Sequence, residues 1–130
     1  MIRSLQAVTA ITLAILAAPG FPQVSAPSYP GKPVRIIVPN AAGGLADICA
    51  RLVAAKLALA FGQQFLVENR PGAGGTLGTA AAVKAAPDGT TLLAVFDSHA
   101  TNPHLFRSLP YDTLADLAPI SLLVRGPPSP

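Results

Sequence analysis

Val34-Arg35-Ile36-Ile37-Val38 is a run with four β-branched residues, closed by Pro39 and trailed at once by a Gly43-Gly44 pair. An apolar run of this length, bounded by turn residues, predicts a strand buried on both faces, as in a parallel sheet. The next stretch restricts the fold further. From Leu45 onward, Leu45, Ile48, Cys49, Leu52, Ala55 and Leu59 recur at helical spacing and predict an amphipathic helix with that face inward. Asp47 falls in its first turn, where a carboxylate suits the helix dipole, and Gly62 stands where a C-terminal cap belongs.

The same unit then repeats. Phe65-Leu66-Val67-Glu68 predicts a second strand, Asn69 to Thr76 a second glycine loop, and Leu77 to Ala86 a second helix. Pro87-Asp88-Gly89 marks a turn. Thr91 to Phe96 predicts a third strand, then a polar loop from Asp97 to Pro103 and a short helical turn through His104 to Arg107. Asp112 and Asp116 suit a small capped turn near Leu114 to Leu117, and Ile120 to Val124 predicts a fourth strand. Such alternation implies an α/β fold with a parallel sheet and right-handed crossovers. Ligands of these sheets bind beyond the carboxyl ends of the strands. Three polar segments are predicted at that edge: Pro39 to Asp47, Asn69 to Thr76 and Asp97 to Asn102.

The chemistry available there is anion binding. Glycines let backbone N–H groups approach a ligand closely, and a helix N-terminus favours negative charge. Thr76, Ser98 and Thr101 can add hydrogen bonds without a fixed charge. The Gly43-Gly44 turn fits neither the dinucleotide fingerprint nor the P-loop, because no Gly-Lys-Ser/Thr comes after it. The bland alternative for both glycine stretches is a tight connection and nothing more.

Other chemistries have less support. His99 and His104 lack neighbouring cysteines or clustered carboxylates, so they read as surface or supporting residues rather than metal ligands. Asp97, Ser98 and His99 are too close in sequence to face one another as a triad, and no nucleophile elbow surrounds Ser98. The net charge of +3 is mild and the basic residues are scattered, which argues against nucleic-acid binding. Cys49 is the only cysteine, so no internal disulfide is possible; it reads as a small buried hydrophobe.

The N-terminus has its own character. Met1-Ile2-Arg3 precedes an uncharged, mostly apolar run from Leu5 to Ala18. Pro19, Gly20 and Pro22 break it, and Val24-Ser25-Ala26 is a small-x-small cleavage pattern. Residues 1–26 read as a secretory signal peptide. The run is shorter than the roughly 20 residues of a membrane-spanning helix.

Several motifs together resemble one family. They are Tyr29-Pro30-Gly31-Lys32-Pro33 leading into the first strand, Ala42-Gly43-Gly44 with Asp47 and Arg51, and Val67-Glu68-Asn69-Arg70-Pro71-Gly72-Ala73-Gly74-Gly75. Ala86-Pro87-Asp88-Gly89, Asn102-Pro103 and Leu109-Pro110-Tyr111-Asp112 complete the set. The string, from about Tyr29 to Val124, resembles the extracytoplasmic solute receptors of tripartite tricarboxylate transporters, the Bug or TctC family. The resemblance implies a two-lobed periplasmic binding protein, type II-like, with no cofactor and no catalysis. It implies a small carboxylate ligand (a di- or tricarboxylate, an amino acid or an aromatic acid) and membrane transporter subunits as partners. The implied ligand-binding positions are Ala42, Gly43, Gly44 and Asp47 in the first loop, Gly74, Gly75 and Thr76 in the second, and Ser98, Thr101 and Asn102 in the third. Asp47 is expected to order its loop or a water rather than touch an anion. On this reading residues 27–125 are the first lobe, 126–130 a disordered tail, and the second lobe is missing. Two other readings stand beside it: a truncated, non-functional family fragment, and a small anion-binding enzyme domain.

Overall fold

A computed structural model describes residues 29–125. The signal-peptide reading of residues 1–26 and the tail at 126–130 lie outside these residues. In chain order the elements are β1 (Val34–Val38), α1 (Leu45–Phe61), β2 (Phe65–Asn69), a 3-10 turn (Ala73–Gly75), α2 (Thr76–Val83), β3 (Thr91–Leu93) and α3 (Ser98–Leu105). The three strands form one parallel sheet in the order β2-β1-β3. In register, Val34 pairs with Phe65 and Val38 with Asn69, while Ile36 pairs with Leu92.

β1 is central, and its composition explains why. Val34, Ile36, Ile37 and Val38 are buried and only Arg35 is exposed. Ile36 and Val38 pack with Ala46, Ala50 and Ala54 of α1, and Phe65, Val67, Leu92, Ala94 and Phe96 flank that cluster. Full burial of each large aliphatic here contributes about 1.5–3 kcal/mol. Ladder bonding extends past the strand ends: Arg70 N–H donates to Val38 O at 2.8 Å, and Ala94 N–H to Ile37 O at 2.9 Å.

The helix face departs from the sequence expectation. α1 buries Ala46, Asp47, Ala50 and Ala54, not the Leu45, Ile48, Leu52 and Leu59 stripe, which is exposed. Cys49 is only half-buried and free. Two stripes of helical period run along this segment, and the small one faces the sheet. Alanines at i, i+4 and i+8 let the helix lie close to the strands, where leucines would hold it away. Gly62 ends the helix as expected, at φ +64° with its N–H donated to Ala58 O at 3.0 Å.

Three further expectations are corrected. The 97–103 segment is not a loop but the start of α3, because the Asp97 carboxylate accepts from Ser98 N–H at 2.8 Å and Thr101 N–H donates to Asp97 O. The third strand spans Thr91–Leu93 rather than reaching Phe96. No strand forms over Ile120 to Val124, whose apolar side chains are exposed. A strand needs a ladder partner, and the described sheet offers this run none. Near it, Asp112 Oδ1 accepts from the N–H groups of Leu114 and Ala115 and holds a compact capped turn.

Candidate functional site

The carboxyl ends of β1 and β2 open onto the two glycine segments, and α3 comes after the third strand at the same edge. The first segment leaves β1 through the buried Pro39 and turns at Gly43, φ +82°. Gly44 then stands at the N-cap of α1 with extended backbone and no side-chain cap. The first intrahelical bond runs from Ile48 N–H to Gly44 O at 3.0 Å. The N–H groups of Leu45, Ala46 and Asp47 precede it, so the helix end carries the free donors every N-terminus has. Ala42, Gly43 and Gly44 are exposed above it, and a Cβ at Gly43 would meet no atom within 4 Å.

Asp47 lies beneath this turn, 3% exposed. Its Oδ2 accepts from Gly43 N–H at 2.9 Å and from Arg51 Nε at 3.0 Å. Its Oδ1 accepts from Asn69 Nδ2 at 3.0 Å. The Arg51 hydrogen bond, then the Gly43 amide and Asn69, lower its pKa to about 2 against the opposing effect of burial. Asp47 therefore orders the loop from inside. The Gly43 amide, a candidate donor to a ligand, already serves Asp47.

The second segment is built on four successive residues with positive φ: Gly72 (+130°), Ala73 (+47°), Gly74 (+63°) and Gly75 (+89°). Only glycine takes such values without cost, which is why three of the four are glycine. Thr76 is buried at the start of α2 and its hydroxyl donates to Ala73 O at 2.9 Å. Thr79, also buried, donates to Gly75 O at 3.0 Å. In α3, Thr101 Oγ1 donates to Ser98 O at 3.2 Å. Asn102, 3% exposed, donates from Nδ2 to Gly74 O at 2.9 Å.

The three segments thus meet. Gly75 approaches Pro39, where a Cβ would lie 3.4 Å from its carbonyl oxygen and Cβ, and Gly74 approaches Phe106 and Asn102. Asn69 ties the end of β2 to the first turn. Within this arrangement Thr76, Thr101 and Asn102 donate to backbone carbonyls, and Asp47 accepts from the Gly43 amide and the Arg51 and Asn69 side chains. Ala42, Gly43, Gly44 and Gly74 present exposed backbone. Arg51 and Asn69 join this arrangement although neither was among the expected binding positions. Arg51 had a signal, the i, i+4 spacing from Asp47; Asn69 reads in sequence as the start of a loop.

The other constellations are not assembled into sites. His99 stacks on Tyr111 with ring centroids 6.3 Å apart and planes at 12°, and burial pushes its pKa down. His104 is exposed in the last turn of α3. Among the described residues no group of three or more His, Cys, Asp or Glu converges, and no helix is long and apolar enough to cross a membrane. A cavity of ≈ 340 Å³ between α3 and the Leu109–Leu114 segment, lined by Arg107, Tyr111 and Asp112 among others, includes none of the glycine-segment residues.

The chain is similar to several known proteins. Residues 49–129 match the model of the tripartite tricarboxylate transporter family receptor. BugT of Bordetella pertussis is 44% identical over 115 residues, covering 87% of this chain and 34% of that protein. Among solved structures, MatC from Rhodopseudomonas palustris with bound malate superposes with a TM-score of 0.69 at 41% identity, over 73% of this chain and 33% of MatC. The periplasmic binding protein BugD gives a TM-score of 0.65 at 39% identity, over 68% of this chain and 29% of BugD. The chain spans about a third of the length of the relatives it matches.

Proposed function

The chain belongs to the tripartite tricarboxylate transporter receptor family, and from that premise we propose that it is a periplasmic receptor lobe that takes a small carboxylate at its glycine segments. On this reading residues 27–125 form the lobe, exported by the 1–26 leader. It acts by binding alone and hands its ligand to membrane subunits of a tripartite transporter.

The observation that carries the proposal is the exposed Ala42-Gly43-Gly44 backbone at the N-terminus of α1, with the second glycine segment packed beside it. A carboxylate there would meet the N–H donors of Leu45 and Ala46 and the positive end of a 17-residue helix, while Gly44 N–H donates to Ala41 O at 3.4 Å. The Asp47 charge beneath the turn is matched by Arg51 at 3.0 Å, which leaves the turn without net negative charge. Exposed backbone of Gly74 and the hydroxyl of Ser98 supply further polar contacts. Thr76, Thr101 and Asn102, whose side chains are engaged internally, shape the site. MatC holds malate, and a short dicarboxylate is the ligand class the proposal assigns to this chain.

The test is a titration of the full chain with malate, citrate, glutamate and benzoate, read by amide NMR. Shifts confined to Ala42–Ala46, Gly74–Thr76 and Ser98 with at least one acid support the reading. The absence of any such shift at about 10 mM acid, an affinity worth less than about 3 kcal/mol, overturns it.

A further inference from the structure

We infer that Asn69 is the positioning residue of the anion-facing turn: its side-chain amide latches the Pro39–Gly44 turn and the root of α1 onto the end of β2. The inference rests on the proposed carboxylate reading of that turn and gives Asn69 a role that needs no contact with ligand.

Three hydrogen bonds define the latch. Asn69 Nδ2 donates to Asp47 Oδ1 at 3.0 Å and to Asn40 O at 3.2 Å, while Asn69 Oδ1 accepts from Arg51 Nη2 at 3.1 Å. The neighbours demand opposite chemistry. A carboxylate and a carbonyl require donors, and a guanidinium requires an acceptor. A primary amide supplies both from one planar group. Aspartate would match Arg51 but set a second carboxylate against Asp47, and alanine would match neither.

The backbone beneath this amide is held firmly. Asn69 pairs with Val38 across the sheet, and the next residue, Arg70, donates its N–H to Val38 O at 2.8 Å. Asn69 therefore transmits the rigidity of the sheet outward. The path runs from β2 through Asn69 to Asp47, and from Asp47 Oδ2 to Gly43 N–H at 2.9 Å. Because Asn69 also begins the segment that becomes the second glycine loop, one side chain fixes the spacing between the roots of both loops. Charges close to this path are Arg51 on α1, bonded to Asp47, and the group of Arg35 on β1, Glu68 on β2 and Arg70 just after β2.

The test compares the full chain with Asn69→Ala, Asn69→Asp and Thr79→Ala, the last removing a bond to Gly75 O outside the path. NMR without ligand reads the titration midpoint of the Asp47 carboxyl and the exchange of the Gly43 amide. Asn69→Ala should move the midpoint up from about 2 toward 3.8 and speed Gly43 exchange about tenfold, as expected for loss of one charge-assisted bond. Asn69→Asp, nearly isosteric and so the safeguard if the alanine variant does not fold, should raise the midpoint further. Thr79→Ala should move neither. An unchanged midpoint with unchanged Gly43 protection in the Asn69 variants overturns the latch. A malate titration of the same samples separates the two ideas. Silent wild-type amides with an intact Asn69 effect sink the carboxylate reading alone. A wild-type response that Asn69→Ala leaves at full strength sinks the latch alone.

Discussion

Gly78 lies against Pro39 so closely that a Cβ at Gly78 would come 2.7 Å from the Pro39 Cβ and 2.7 Å from the Arg70 carbonyl oxygen. Both neighbours are fixed, one a ring on the central strand's exit and the other main chain. Gly78→Ala must therefore push α2 away from the sheet edge. Overpacking of this kind costs about 1–3 kcal/mol. Chemical denaturation of the variant should show a lower midpoint at an unchanged slope, and the amide shifts of Gly74 and Gly75 should move with it.

Asp47 makes stability depend on acid. Its folded pKa of about 2 lies below the ordinary 3.8, so the folded state holds its charge longer than the unfolded chain does. The contribution is complete above about pH 4 and disappears as pH falls toward 2. Asp88 and Asp112 are lowered too, by Thr90 with Lys32 and by the Ala115 and Leu114 amides, and add to the same slope. Asp47→Asn should flatten the slope between pH 4 and 2 in thermal melts and leave the Asp88 and Asp112 share in place. An identical slope would count against the bonding described for Asp47.

Asn102 holds the second glycine segment from α3. Asn102→Ala leaves Gly74 O without its partner and opens a small buried space. The expected loss is about 1–3 kcal/mol. Hydrogen exchange should quicken across Gly72–Thr76 before it quickens in β1, which distinguishes a local tie from general destabilisation.

Opposite faces of α1 should respond oppositely. Leu59 is 82% exposed, so Leu59→Gln should change stability by less than about 0.5 kcal/mol. Ala50 is buried against Ile36 and Val38, so Ala50→Leu should cost about 1–3 kcal/mol through overpacking. Paired denaturation curves decide the matter, and a larger loss for Leu59→Gln would reverse the assignment of faces.

The parts legible in the sequence are those set by local physics. The β-branched run gave β1, and the Gly43-Gly44 turn and Gly62 bounded α1. Three kinds of information were not local. Which of two helical stripes faces a sheet depends on how near the helix lies, and alanine carries too little hydrophobicity to announce it. The partners of Asn69 come from β1's exit and from α1, residues 18 to 29 positions away, so nothing next to it in sequence reveals the bond. The Ile120–Val124 run has the composition of a strand, but composition supplies no neighbour to pair with.

The central place of β1 has a consequence for how the chain is made. It is the first strand of the described sheet to leave the ribosome, yet both of its partners come later. One flank stays bare until Phe65–Asn69 emerges and the other until Thr91–Leu93 does. Within the described sheet, Val34–Val38 is thus the strand that waits longest for cover.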